Sequence, residues 1–232
     1  MGLRLWLKSS WYSVKLSLNI VIMNDTNLRK IKAILFDLDG VLVNMPDGHY
    51  VALNKALDLF GVCINEDEHY AHFNGLPTKK KLEELEEQKR LPVGLREFIN
   101  GIKQKYTKEI IPNYCVPDYS KIILLRHLKE QGFKLGCCSN STKETLHLML
   151  KSAQLFEFFD VIIGNDEVTN PKPSPEIYQV AFEKLRVSPE ECIIIEDSPH
   201  GIASAKASGA TVYEVRDVDD VTLSLFEKVL SK

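Results

Sequence analysis

The stretch IKAILFDLDGVLV, residues 31–43, decides the architecture. Its first six residues carry a single polar interruption, the pattern of a short strand buried on both faces. Two acids two residues apart, Asp37 and Asp39, follow at once, and then a glycine, Gly40. Comparable apolar runs recur at 134–139 (KLGCCS), 161–164 (VIIG), 192–196 (CIIIE) and 210–215 (ATVYEV). Helical patterns separate them. The segment 119–131 carries Ile122, Ile123, Leu125 and Leu128 at helical spacing. A second helix is expected over 142–153, opened by the capping-box pattern Ser141-Thr142-Lys143-Glu144. A third, 177–185, follows Ser174-Pro175-Glu176, which places proline at the first helical position. Alternation of this kind predicts a parallel sheet covered by helices on both sides, an α/β sandwich of three layers.

The alternation breaks between about 45 and 112, where helical patterns at 49–60, 79–89 and 94–110 follow one another with no strand between them. A helical insertion therefore interrupts an α/β domain just after its first strand. The expected organisation is an N-terminal extension over 1–30, a core made of 31–45 and 112–232, and the insertion over 46–111. The first 23 residues hold Trp6, Trp11, Tyr12, Arg4, Lys8 and Lys15 and no acid. They read as a poorly ordered tail, or an over-extended start ahead of Met23, against a targeting peptide or an amphipathic surface helix. The run Lys79-Lys80-Lys81, with Glu83, Glu84, Glu86 and Glu87 after it, reads as a solvated helix with i,i+4 pairs.

Composition narrows the partners. A net charge of −3 over 232 residues gives no electrostatic reason to expect nucleic acid or an anionic membrane. No apolar run is long enough to span a bilayer. The five cysteines are odd in number and form no C-x-x-C pair, which argues against a zinc site or a disulfide framework. Cys137, Cys138 and Cys192 lie in apolar runs as buried thiols of a reducing compartment, and a cytoplasmic location is expected.

In open parallel sheets ligands bind beyond the carboxyl ends of the strands. Past the first run stand Asp37 and Asp39; past the second, Ser139, Asn140 and Ser141; past the third, Lys172 between two prolines; past the fourth, Glu196, Asp197 and Ser198. Crowded carboxylates repel one another unless a cation sits among them, and an oxygen-only donor set suits Mg²⁺. A hydroxyl with backbone N–H groups at a helix start, and a lysine nearby, suit a phosphate. Phosphoryl transfer is the chemistry these groups share. Asp37 and Asp39 can both face the site, one as nucleophile and the other as acid/base.

These motifs resemble those of the haloacid dehalogenase-like hydrolase superfamily. Asp37-Leu38-Asp39-Gly40-Val41-Leu42-Val43 matches its first motif, Ser139-Asn140 the second, Lys172 the third, and Glu196-Asp197-Ser198 with Gly201, Ile202, Ala205 and Gly209 the fourth. The resemblance implies a Rossmann-like core with a cap domain and an aspartyl-phosphate formed on Asp37. It also implies that Asp39 protonates the leaving oxygen and then activates water. Ser139 and the Asn140 backbone would bind the phosphate, and Lys172 would neutralise its charge. Mg²⁺ would be held by Asp37, Asp39 through its carbonyl, and Asp197, with Glu196 a direct ligand or one shell behind.

The insertion resembles the cap of the β-phosphoglucomutase and phosphoglycolate phosphatase branch. His49 falls where that branch's mutase has a cap histidine near its acid/base, and its functional and structural readings stand level. Thr78 stands where the mutase has a phosphate-binding arginine, which favours hydrolysis, with Lys79, Lys80 or Lys81 as substitutes. The expected activity is Mg²⁺-dependent hydrolysis of a small phosphorylated metabolite, first a sugar phosphate, by a monomer or weak dimer. The alternatives are a phosphomutase and a non-catalytic phosphometabolite-binding protein.

Overall fold

A computed structural model describes residues 31–230. The expected N-terminal extension lies outside the described residues. Five parallel strands form one sheet: β1 (Ala33–Phe36), β2 (Lys134–Cys138), β3 (Val161–Ile163), β4 (Cys192–Glu196) and β5 (Thr211–Glu214), in the order β3-β2-β1-β4-β5. β1 lies at the centre, with Phe36 level with Cys137 on one side and Ile195 on the other. The order reverses at β1, so the crevice of the switch point opens beside the residues that follow it.

Between β1 and β2 run α1 (Pro46–Asp58), α2 (Glu66–Glu68), a π-helical turn (His69–Phe73), α3 (Thr78–Glu87), α4 (Arg96–Tyr114) and α5 (Tyr119–Glu130). After β2 come α6 (Lys143–Ser152), α7 (Glu176–Leu185), α8 (Pro199–Ala207) and α9 (Leu223–Leu230). The strands alternate between two cores. Ile34 and Phe36 face one side with Cys137 and Ile195, against residues of α5, α6 and α9; Ala33 and Leu35 face the other with Ile194, against α7. This is the double burial that an unbroken apolar run encodes. Cys115, Cys137, Cys138 and Cys192 are buried free thiols.

The helical insertion has its own core: Leu53, Leu57 and Ile64 meet Phe73, Leu82, Leu85 and Ile99. Helix α4 continues past Pro112 to Tyr114, so that Ile111 and Cys115 join the core beside the sheet. The segment 66–73 lacks a clean apolar period, which hid it from sequence reading; Asn65 opens it by accepting a hydrogen bond from the Glu68 N–H at 2.8 Å. One expected detail shifts. Thr142, not Ser141, caps α6, and its hydroxyl accepts from the Thr145 N–H. Glu144 reaches Lys108 instead of the cap, and Ser141 is left to face the crevice.

Candidate active site

The loop after β1 turns back tightly: Leu42 and Val43 both donate to the Leu38 carbonyl. This turn needs Gly40 in the left-handed region, at φ 84°. A Cβ there would also strike the Asp197 carboxylate, so Gly40 is where β1 and β4 bring their acids together. Asp37, Glu196 and Asp197 each place a carboxylate oxygen within 4.8 Å of the others.

Lys172 binds this group together. Its ammonium, 3% exposed, donates to Asp37 at 2.7 Å, to Glu196 at 2.5 Å and to the Cys138 carbonyl at 2.7 Å. Glu196 is wholly buried; the Tyr178 hydroxyl at 2.6 Å shares its Oε1 with Lys172, and its Oε2 accepts from the Asp197 N–H at 3.2 Å. Burial works against the Lys172 charge, but Asp37 and Glu196 hold its pKa well above the usual lysine range. Burial raises Asp37 well above the carboxylate range, with Glu196, Asp197 and Asp39 adding to it against the pull of Lys172. Burial, Glu196 and Asp39 push Asp197 up to about 7. Asp197 Oδ1 and Asp39 Oδ1 are buried without a hydrogen-bond partner. A surplus of buried carboxylate oxygens beside a single lysine is what a hard divalent cation satisfies, so these residues fit Mg²⁺.

The second strand contributes the opposite wall. Ser139 is buried, and its hydroxyl accepts from the Ser141 N–H at 3.2 Å. The Asn140 side chain, which also lines the crevice, bridges two loops. Its carbonyl oxygen accepts from the Lys172 N–H at 3.0 Å, while its amide donates to the Lys172 carbonyl at 3.2 Å and the Gly75 carbonyl at 3.0 Å. Asn140 thus ties the Lys172 loop to the insertion.

The insertion closes the top of a cavity of about 520 Å³. His49 projects from α1 with Nε2 3.3 Å from Asp39 Oδ1, though not aligned as a hydrogen bond, and 3.4 Å from the Ser141 hydroxyl. Its Nδ1 lies 3.3 Å from the Lys103 amine. With Nδ1 accepting from Lys103, the neutral ring carries its proton on Nε2, toward Asp39. Burial and Lys103 lower the His49 pKa. Thr78 and Lys79 line the same cavity, but the Lys79 ammonium turns outward to Glu97 at 3.2 Å on the exposed surface.

Three groups escaped sequence reading as parts of the site: Tyr178, Lys103 and the inward course of Lys81. Lys81 and Lys103 are each only 6% exposed and line the cavity. A signal existed for Lys103, because Ile99, Lys103, Thr107 and Ile111 form one buried i,i+4 stripe of α4.

Residues 34–215 match the profile of the haloacid dehalogenase-like hydrolases. The chain belongs to that family. It is 28% identical over 178 residues to the phosphorylated carbohydrates phosphatase of Thermotoga maritima, covering 77% of this chain and 82% of that one. CbbY of Rhodobacter sphaeroides, solved in complex with phosphate, superposes with a TM-score of 0.70 at 25% identity over 79% of this chain and 85% of its own. β-Phosphoglucomutase of Clostridium difficile has the same fold, with a TM-score of 0.74 at 23% identity over 87% and 97%. The haloacid dehalogenase-like chain is an enzyme of the phosphatase kind, and its relatives act on phosphorylated compounds. Among the described residues no helix is long and apolar enough to cross a membrane.

Proposed function

We propose that the enzyme hydrolyses a small phosphate monoester, a sugar phosphate first, through a phosphate carried on Asp37. The observation that carries this reading is the buried Asp37 carboxylate, held 2.7 Å from the Lys172 ammonium at the end of the central strand. Asp39 lies two residues on, beside His49. Mg²⁺, held by the carboxylates of Asp37 and Asp197 and the backbone carbonyl of Asp39, would neutralise charge on the phosphate and keep Asp37 ionised. We assign Glu196 to positioning Lys172 rather than to the metal, because its Oε1 is held between the Lys172 ammonium and the Tyr178 hydroxyl and its Oε2 meets the Asp197 N–H.

The chemistry runs in two steps. An Asp37 oxygen forms a bond to phosphorus as the bond to the leaving oxygen breaks, and Asp39 gives that oxygen a proton. Asp39, now a carboxylate, takes a proton from water whose oxygen attacks the phosphorus; the Asp37–phosphorus bond breaks and inorganic phosphate leaves. Ser139 and Lys172 hold the phosphate oxygens, Asn140 sets the Lys172 backbone, and His49 orients Asp39. The insertion acts as a cap over 46–111, with the core at 31–45 and 112–232, and excludes water when closed. Thr78 borders the substrate; Lys79, engaged with Glu97 on the surface, takes no part.

The sugar phosphate draws support from the Thermotoga relative, whose name specifies phosphorylated carbohydrates. The buried free thiols fit a cytoplasmic enzyme, taken as a monomer or weak dimer. Phosphate release from a panel of sugar phosphates, phosphoglycolate, nucleotides and an aryl phosphate tests the reading. Release should require Mg²⁺ and vanish in Asp37→Asn, and Asp39→Ala should abolish turnover without unfolding. Full activity in either variant refutes the assigned roles. A phosphomutase is the second reading, favoured by the contact between His49 and Asp39; it predicts isomerisation dependent on a sugar bisphosphate.

A further inference from the structure

Tyr178 is the largest fully buried side chain among the described residues. It stands on α7, six residues after Lys172, and shares a core with Leu35, Ala181 and Ile194. A phenylalanine would fill that core as well, without carrying a hydroxyl out of water. The hydroxyl is spent on one partner: it donates to Glu196 Oε1 at 2.6 Å, the same oxygen that accepts from Lys172 at 2.5 Å. The Tyr178 ring also faces the Lys172 ammonium, 5.1 Å from its centroid. Neither Tyr178 nor Glu196 lines the cavity, whereas Lys172 and Asp37 do. Any effect of Tyr178 on the reaction therefore passes through Lys172.

An ammonium has three donors. Those of Lys172 go to Asp37, the Cys138 carbonyl and Glu196. The carbonyl is fixed by the strand, so the two carboxylates decide where the ammonium points. As Asp37 bonds to phosphorus, its attacking oxygen gives up its charge, while Glu196 keeps its own and pulls the ammonium inward. On the α8 side Glu196 has no room to withdraw, because a Cβ at Gly201 would already strike its carboxylate. The Tyr178 hydroxyl, fixed by packing, holds Oε1 and takes a share of its charge. Lys172 is then left in line with Asp37.

We propose that Tyr178 is a positioning residue for phosphoryl transfer, holding Glu196 Oε1 so that the Lys172 ammonium stays aimed at Asp37 and the phosphate. The kinetic consequence rests on the phosphatase reading; the placement of Lys172 does not. Loss of the hydroxyl lets Glu196 draw the ammonium away from the reacting group. That misplacement acts mainly in the transition state and lowers kcat by roughly tenfold or more.

The test is Tyr178→Phe, which removes one oxygen and keeps the ring. With an aryl phosphate and saturating Mg²⁺, kcat should fall tenfold or more while KM stays within about threefold. The double variant with Glu196→Gln should be no slower than Glu196→Gln alone, because the hydroxyl acts only through that carboxylate. The second readout is independent of turnover. In ¹⁵N-labelled protein without substrate, the buried Lys172 ammonium signal, identified by its loss in Lys172→Met, should shift in Tyr178→Phe. Where that variant fails to fold, 3-fluorotyrosine at 178 strengthens the hydroxyl as a donor, and the ammonium signal should still move. A kcat within threefold of the parent overturns the proposal, as does a loss that multiplies with that of Glu196→Gln, or an ammonium signal that stays in place. No phosphate release by the unaltered enzyme, with the ammonium signal displaced in the variant, would count against the phosphatase reading alone.

Discussion

Replacing Glu196 by glutamine tests whether this residue holds Lys172 or holds a metal. The side chain is wholly buried and accepts from Lys172 at 2.5 Å, Tyr178 at 2.6 Å and the Asp197 N–H at 3.2 Å. Glutamine keeps the shape but removes the charge and turns one acceptor into a donor. That NH₂ group must then face Lys172 and Tyr178, or the Asp197 N–H, all of which are donors. Lys172 keeps Asp37 at 2.7 Å, so one ion pair of two is lost together with a hydrogen bond. Breaking a buried pair from one side costs about 3–5 kcal/mol, a large part of a domain's total stability of roughly 5–15 kcal/mol. Urea unfolding in the presence of EDTA measures this without any metal. Lys172→Met in the same protein should cost less in the Glu196→Gln background than alone, with a coupling of roughly 2 kcal/mol or more. A loss under about 1 kcal/mol, with additive single variants, would refute the positioning role; a selective loss of Mg²⁺ affinity would put Glu196 in the metal shell.

Stability should also depend on pH through Lys81. Its folded pKa of about 7 lies below the ordinary 10.5. Between those values the unfolded chain binds more protons, so stability rises with pH across that window and levels off below pH 7. The span is on the order of 4–5 kcal/mol at one unit per 1.36 kcal/mol. Melting temperatures from pH 6 to 10 should rise less steeply in Lys81→Met than in the parent, and parallel curves would refute the burial of a charged amine. Asn140→Ala removes the three hydrogen bonds that join Lys172 to the insertion at Gly75. It should lower kcat by roughly tenfold to a hundredfold at near-normal KM, with folding retained; an unchanged kcat would refute the coupling.

The fold was legible because parallel strands buried on both faces leave unbroken apolar runs, and because their ends each carry polar residues. Ile34 and Phe36 serve one core while Ala33 and Leu35 serve the other, so no residue of that strand could be polar. Asp37, Asp39, Ser139, Lys172 and Asp197 were legible for the same reason: the sheet fixes where a residue after each strand must stand. The insertion gave no such frame. A helix can aim a residue anywhere around its axis, so Lys79, Lys80 and Lys81 looked equivalent in sequence. The structure separates them: Lys79 meets Glu97, Lys80 meets Glu83, and Lys81 turns inward. Only Lys81 falls next to Leu82 and four residues before Leu85, and that apolar spacing drives its ammonium to the inner face. The same logic buries Lys103 between Ile99 and Thr107. A charge placed on an apolar stripe is costly to the free protein, and the cavity beside it sets what can relieve that cost.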